Sequence, residues 1–455
     1  MTDESKRITI VGAGLAGSEA AWQLAERGFP VRLYEMRPTV QTGAHESDKF
    51  AELVCSNSLG SNLFNRASGL LKTELRTLGS LLISLADETA LPAGGALAVD
   101  RASFSEKVTK IISNHPKIEV IRQEVLEIPE GPTIISSGPL TSAKLSQQLS
   151  KFFGHKNLFF FDAIAPIIYS DSIDLNIAFR ASRYDHENNE NGDYINCPFS
   201  RSEYDVFVNS LRNAERIQLK SFEEEINRGV SAGSATFFEG CLPIEVLASR
   251  GQEALAFGPL RPVGLRDPRS SKRPHAVLQL RQDNLAGDLY NMVGFQTNLT
   301  FSEQKRIFRQ IPGLANAEFA RFGQMHRNTF IASPLVLKPS LNTIKRNDLF
   351  FAGQITGVEG YAGNIATGLI AARNMARILT SKEPLVFPVF TMIGSLLNYI
   401  TQASMKDFQP MKANFGLFPK LEDKIKNKNE RYQKFSERAL SNLINYCQMM
   451  GEPFL

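Results

Sequence analysis

Four cysteines are all that 455 residues supply, and no two of them form a Cys-x-x-Cys pair. Cys55, Cys197, Cys241 and Cys447 are scattered, a spacing that supports neither a disulfide framework nor a zinc site and suits a reducing compartment. Excess charge of one sign is also missing. Fifty-one Lys and Arg against 47 Asp and Glu leave a formal charge of +4, so a nucleic-acid surface can arise only by local clustering. Long hydrophobic runs are absent too. "VFPVFTMIGSLLNYI" (386–400) is short for a membrane span and carries Pro388. "RITIVGAGLAGSEAA" (7–21) has the outline of a signal peptide, but Glu19 interrupts the apolar run and the glycines are regularly spaced. The expectations are a cytoplasmic protein with no membrane association, no metal and no obligate protein partner, built from two or three domains.

What is present begins at the front. Residues 7–35, "RITIVGAGLAGSEAAWQLAERGFPVRLYE", read as strand, glycine turn, helix and strand, closing on Glu35. The turn is Gly12-Ala13-Gly14-Leu15-Ala16-Gly17. Gly12 allows the tight turn, Gly14 lets backbone approach a pyrophosphate, and Gly17 lets helix and strand pack closely. The helix N-terminus offers unpaired N–H groups to that pyrophosphate. Glu35 can accept from a ribose, which favours FAD or NAD over a 2′-phosphorylated cofactor.

A second strand–turn–helix, "DLFFAGQITGVEGYAGNIATGLIAARNMARIL" (348–379), contains Gly353, Gln354, Gly357 and Tyr361, with the helix expected to start near Ala366. A chain that leaves a nucleotide domain and returns to it in this way points the returning helix at a flavin, so FAD is the expected cofactor, the alternative being a routine βα unit of a larger sheet. "PTIISSGPLTS" (132–142) reads as another buried strand of the same sheet.

Between about 165 and 330 the character changes. "RASRYDHENNENGDYINCPFS" (180–200) reads as a hairpin or exposed loop. The stretch 257–284 carries Arg261, Arg266, Arg269, Lys272, Arg273 and Arg281 among several prolines, which point to extended loops. A phosphate-binding surface and a merely solvated face are both open readings of these cations. In the basic tail 420–440 the solvated face is the simpler reading. The expected organisation is α/β. A Rossmann-like, two-dinucleotide-type FAD-binding domain (1–165 and 331–400) is interrupted by an α+β insertion and RNA-binding domain (166–330), and a helical C-terminal segment (401–455) follows.

Cys241 sits in the insertion, in "TFFEGCLPIE" (236–245), and Cys55 near the front, in "FAELVCSNS" (50–58). A lone cysteine is most often a small buried hydrophobe, and Cys197 and Cys447 are read so. Glu239 and Glu245 flank Cys241, and negative charge beside a thiol opposes its ionisation.

"LVCSNS", "FEGCLPIEVLASRG", "FGPLRPVGL", "LQLRQDN", "LYNMVGFQTNL", "MHRNTFI" and "GQITGVEGY" together resemble one family, the folate- and FAD-dependent tRNA (uracil-5-)-methyltransferases (TrmFO). The resemblance runs from the first strand to "FQPMKANFGLFP" (408–419). The large subunit of the wobble-uridine modification complex is a more distant relative that shares the FAD framework and lacks this cysteine context. The resemblance implies methylation of C5 of a tRNA uridine, in the T-loop at position 54. The carbon donor would be 5,10-methylenetetrahydrofolate, the hydride donor reduced FAD, and the ultimate reductant NAD(P)H. It implies that Cys241 adds to uracil C6, and that Cys55 is the candidate for removing the C5 proton. This chain departs from the family after "GVEGY", where Ala362-Gly363-Asn364 stands in place of a Val-Glu-Ser type sequence and an acidic residue is lost. The alternatives are the same chemistry on 23S rRNA, or a non-catalytic tRNA-binding flavoprotein. A simple NAD(P)H oxidase has no use for the inserted thiol.

Overall fold

The computed structural model describes residues 7–154, 158–183, 192–217, 242–269, 273–406 and 408–454. Five parallel strands form the sheet that carries the nucleotide turn. Their order across the sheet is Leu349–Phe351, Thr133–Ile135, Ile8–Val11, Val31–Tyr34 and Ile118–Ile121. The central strand lies between two cores: Ile8 and Ile10 are fully covered on one face and Val11 is buried on the other, as parallel sheets between helices require. Ile8 pairs with Val31 on one side and Thr9 with Thr133 on the other. A ligand crevice is expected where such connections diverge, beyond the carboxyl ends of the strands.

Two helices pack on this sheet and on each other, Leu15–Glu26 and Tyr361–Leu379. Their contact is close because of Gly368, where an added Cβ would lie 2.2 Å from the carbonyl oxygen of Ala16. The returning helix starts at Tyr361, five residues earlier than the expected Ala366.

The chain leaves this unit along Leu158–Ala163 and comes back along Met325–Phe330, two strands paired antiparallel. Between them lies a six-stranded sheet in the order Phe179–Ala181, Tyr194–Phe199, Ala276–Gln282, Leu289–Met292, Ile167–Tyr169 and Phe319–Arg321. Phe179–Ala181 and Tyr194–Phe199 are the two arms of the hairpin anticipated there. Helix Arg201–Arg212 opens with a capping box between Ser200 and Glu203 and packs Tyr204, Phe207 and Leu211 into a separate aromatic core with Phe199, Phe295 and Phe308.

The C-terminal helix Lys428–Met450 is not set apart. Phe435, Ala439, Leu443 and Cys447 enter the same core as the first strand, and Arg373 and Arg377 of the returning helix both pair with Glu452. Cys447 and Cys197 are buried, as read from the sequence, and burial pushes both thiols up.

A buried carboxylate holds the start of helix Met392–Gln402: Glu74 accepts from the N–H groups of Met392 and Ile393 at 2.7 and 2.8 Å. Burial pushes Glu74 up to about 8, against the pull of those two N–H groups. A carboxyl whose folded pKa exceeds its unfolded value of 4.5 contributes stability that is complete below 4.5 and lost as pH rises through about 8. The melting temperature is therefore expected to fall from pH 5 to pH 8, and Glu74→Gln to flatten that slope in thermal melts across the same range. An equally steep slope in the variant would assign the dependence to other groups.

Candidate active site

The glycine turn performs two separate jobs. Gly12 has φ +98°, and a Cβ there would sit 2.6 Å from the carbonyl oxygen of Ser136. A Cβ on Gly17 would lie 1.8 Å from the carbonyl oxygen of Gly12, so Gly17 serves packing. Gly14 is different, since a Cβ there would meet nothing within 4 Å. It opens onto a cavity that also touches Gly12, Leu15, Ala16, Glu35, Gly353, Gln354 and Tyr361.

Glu35 lies at the end of its strand, buried, and accepts from the N–H of Ala13 at 3.0 Å and from Arg37 N and Nε at 3.0 and 2.9 Å. Burial alone would raise its pKa, but the Arg37 hydrogen bonds and charge outweigh burial and hold it below the ordinary value. An ionised carboxylate has about four acceptor sites, so one remains for a ribose hydroxyl.

A second cavity of about 420 Å³ adjoins the first, and Val54, Leu140, Gln354, Tyr361 and Asn364 line both. Cys55 and Ser56 lie on its wall. The link between the two halves of the chain is Tyr361, the first residue of the returning helix. Its hydroxyl accepts from the N–H groups of Cys55 at 2.9 Å and Ser56 at 3.1 Å. Asn364, one turn into that helix, is buried, and among the described residues its Oδ1 has no hydrogen-bond partner. An orphaned acceptor on a wall common to both cavities is what a bound group with an N–H or O–H donor would satisfy. Together with the open cradle at Gly14 and the acceptor on Glu35, it fits a dinucleotide running from the glycine turn toward Cys55. The departure at Ala362-Gly363-Asn364 thus forms the first turn of the returning helix.

Beneath Cys55 the insertion closes on the nucleotide domain. Arg281 donates to Asn57 Oδ1 at 2.8 Å and to Ser56 Oγ at 3.2 Å, and Asn57 donates to the carbonyl of Gln282. Arg101 pairs with Asp283 at 2.9 Å and donates to the carbonyl of Leu53. Burial would lower the Arg101 guanidinium, but Asp283 outweighs burial and holds it above its ordinary value. Arg101, Arg281 and Arg321 each feel a minor electrostatic contribution from Cys55, so three guanidinium groups belong to its surroundings.

Several sequence expectations need correction. Arg281 is not on a basic loop: it belongs to the buried strand Ala276–Gln282, is 8% exposed, and acts beneath Cys55. Gly357 lines neither cavity; it turns the chain at φ +85° against the ring of Phe408. Glu245 is buried and bonded to Thr297 Oγ1 and the N–H of Asn298, and burial raises its pKa, so it is a weak source of negative charge for Cys241. Cys241, Glu239 and Lys272 lie outside the described residues. Arg261, Arg266 and Arg273 are exposed, as expected, while Arg269 is paired with Asp267 at 2.7 Å. Sequence reasoning missed Arg101 and Arg321, whose neighbourhoods carry no local motif. It also missed Asn57, which lay inside the quoted "VCSNS".

Among the described residues no three His, Cys, Asp or Glu are grouped to hold a metal ion, and no helix is long and apolar enough to cross a membrane. The model of the family "Glucose inhibited division protein A" matches residues 7–383. A methylenetetrahydrofolate--tRNA-(uracil-5-)-methyltransferase TrmFO from Listeria innocua is 56% identical over 445 residues, covering 98% of this chain and all of that one. The protein of the same name from Halalkalibacterium halodurans is 54% identical over 443 residues, covering 97% and 99%. Among solved structures, Aquifex aeolicus GidA superposes with a TM-score of 0.67 at 16% identity, over 99% of this chain and 76% of that one.

Proposed function

This chain belongs to the glucose inhibited division protein A family and, within it, to the TrmFO enzymes; from that premise we propose that it methylates C5 of a uridine in tRNA with the carbon of 5,10-methylenetetrahydrofolate. The observation that carries the reading is the wall shared by the two cavities, where Tyr361 holds the Cys55 loop against the returning helix.

Uracil C5 is a poor nucleophile until a thiolate adds to C6 and makes the ring an enolate. Cys241 is assigned that addition. The S–C6 bond forms as C5 attacks the one-carbon unit. Loss of the C5 proton to a base then expels tetrahydrofolate and leaves an exocyclic methylene. Hydride addition to that methylene gives the methyl group and an enolate, whose collapse restores the C5–C6 double bond as the S–C6 bond breaks. Cys55, on the wall of the second cavity beside the Arg281–Ser56 hydrogen bond, is assigned the proton removal. FAD, when bound and reduced, supplies the hydride that turns the one-carbon unit into a methyl group, and NAD(P)H restores it. Gly12, Gly14 and the N–H groups at Leu15 and Ala16 would hold its pyrophosphate, Glu35 its ribose, and Gly353, Gln354 and Tyr361 its far end. Arg261, Arg266 and Arg273 are assigned to the RNA backbone.

The test is an anaerobic single turnover of reduced enzyme with unmodified tRNA and methylenetetrahydrofolate. One 5-methyluridine should form for each flavin oxidised, with no net oxidation when RNA is omitted. Flavin oxidation that proceeds equally without RNA would refute the assignment.

A further inference from the structure

The insertion carries a second hollow, about 1010 Å³ and open, at the end of its sheet away from Cys55. Its rim holds Phe257, which is 84% exposed, with the exposed apolar residues Val263 and Ile177 beside it. An aromatic ring this bare has no packing role among the described residues. Phe257 ends the short helix Ala254–Phe257, whose Leu255 and Ala256 are buried in the insertion core, so its backbone is anchored while its ring projects. Four arginines line the hollow: Arg201, Arg261, Arg269 and Arg273. Three carboxylates line it as well, and each is already engaged. Glu203 caps its own helix, Glu253 pairs with Arg201 at 2.6 Å, and Asp267 pairs with Arg269. That leaves Arg261 and Arg273 exposed and without an ion-pair partner among the described residues.

We propose that this hollow is a second RNA contact, in which Phe257 stacks on an unpaired base while Arg261 and Arg273 hold the adjoining phosphates. A flat ring open to solvent in the same hollow as two exposed guanidinium groups is the chemistry of single-stranded nucleic-acid recognition, because every base offers a face and every linkage an anion. The stacked base is not the one that is methylated. Strand Ala276–Gln282 runs from the hollow, beside His275 and Arg273, to Arg281 beneath Cys55. At about 3.3 Å per residue that separates the two places by roughly 20 Å. The inference rests on the RNA-methylating reading above and adds to it a second nucleotide that the enzyme grips.

The experiment measures binding of an unmodified tRNA transcript to the full-length, FAD-loaded protein across a salt series. Phe257→Ala should weaken binding roughly tenfold or more and leave the salt dependence unchanged, since stacking releases no counterions. Phe257→Trp should bind nearly as the parent does, which separates a stacking role from a folding defect. Arg261→Ala combined with Arg273→Ala should lower the magnitude of the salt slope by between one and two. If Phe257→Ala binds as the parent while the double arginine variant binds worse, the stacking inference is wrong and the basic surface stands. If neither variant differs from the parent, the surface itself is misassigned and the inference falls with it.

Discussion

Cys241→Ala protein places no methyl group on RNA, a loss of roughly three orders of magnitude or more, yet remains yellow. The size follows from the chemistry, because without addition at C6 no enolate forms and C5 does not react, and nucleophile deletions of this kind remove nearly all of the chemical acceleration. The colour should persist because the proposed dinucleotide cradle, Gly12, Gly14, Leu15, Ala16, Glu35, Gly353 and Gln354, is drawn from the first and the returning strand–turn–helix units, far in sequence from residue 241. A tRNA substituted with 5-fluorouridine sharpens the result, since fluorine at C5 cannot leave as a proton and the C6 adduct persists. Parent and Cys55→Ala protein should form a covalent complex that survives denaturation, and Cys241→Ala should not. A complex retained by Cys241→Ala would move the nucleophile elsewhere.

Gly14→Val gives the second large effect, a folded but colourless protein. Gly14 has φ −70° and ψ −167°, extended backbone that valine adopts without strain, and an added Cβ meets no protein atom within 4 Å. The new side chain occupies the space at the helix N-terminus where a pyrophosphate must lie. Circular dichroism should match that of the parent apoprotein, and flavin absorbance should be absent after purification. Gly17→Ala provides the contrast. Its Cβ would press to 1.8 Å from the backbone oxygen of Gly12, so it should lose the fold around the turn as well as the cofactor. A yellow Gly14→Val protein with one FAD per chain would place the pyrophosphate elsewhere.

The nucleotide half of this architecture was legible because its signals are local. Gly12, Gly14, Gly17 and Glu35 fall within one strand–turn–helix–strand unit, and spacing alone separates the cradle glycine from the packing glycine. The start of the returning helix was less legible. Glycine is a poor helix former, but Gly360 stands just before the first turn, and Gly363 packs so closely that a Cβ there would lie 2.5 Å from Val358, a tertiary fit no local pattern shows. Arg281 was misplaced for a related reason. The prolines before it mark loops, but "AVLQLRQ" is a strand covered on both faces, and its cation is satisfied by Asn57 and Ser56, more than two hundred residues away in sequence. The link that organises the site, Tyr361 to the Cys55 loop, spans 306 residues, and no pattern within either segment announces it. Both residues could be singled out from the sequence, but not their contact.

The most direct measurement of the central claim supplies reduced protein with methylenetetrahydrofolate labelled in its one-carbon unit and a mixture of unmodified tRNA and 23S rRNA, and then maps the label. The account predicts label in tRNA alone, at C5 of a single uridine. Label confined to rRNA would contradict the assignment of substrate, and an absence of label in either RNA from a fully FAD-loaded protein would contradict the assignment of a methyltransferase.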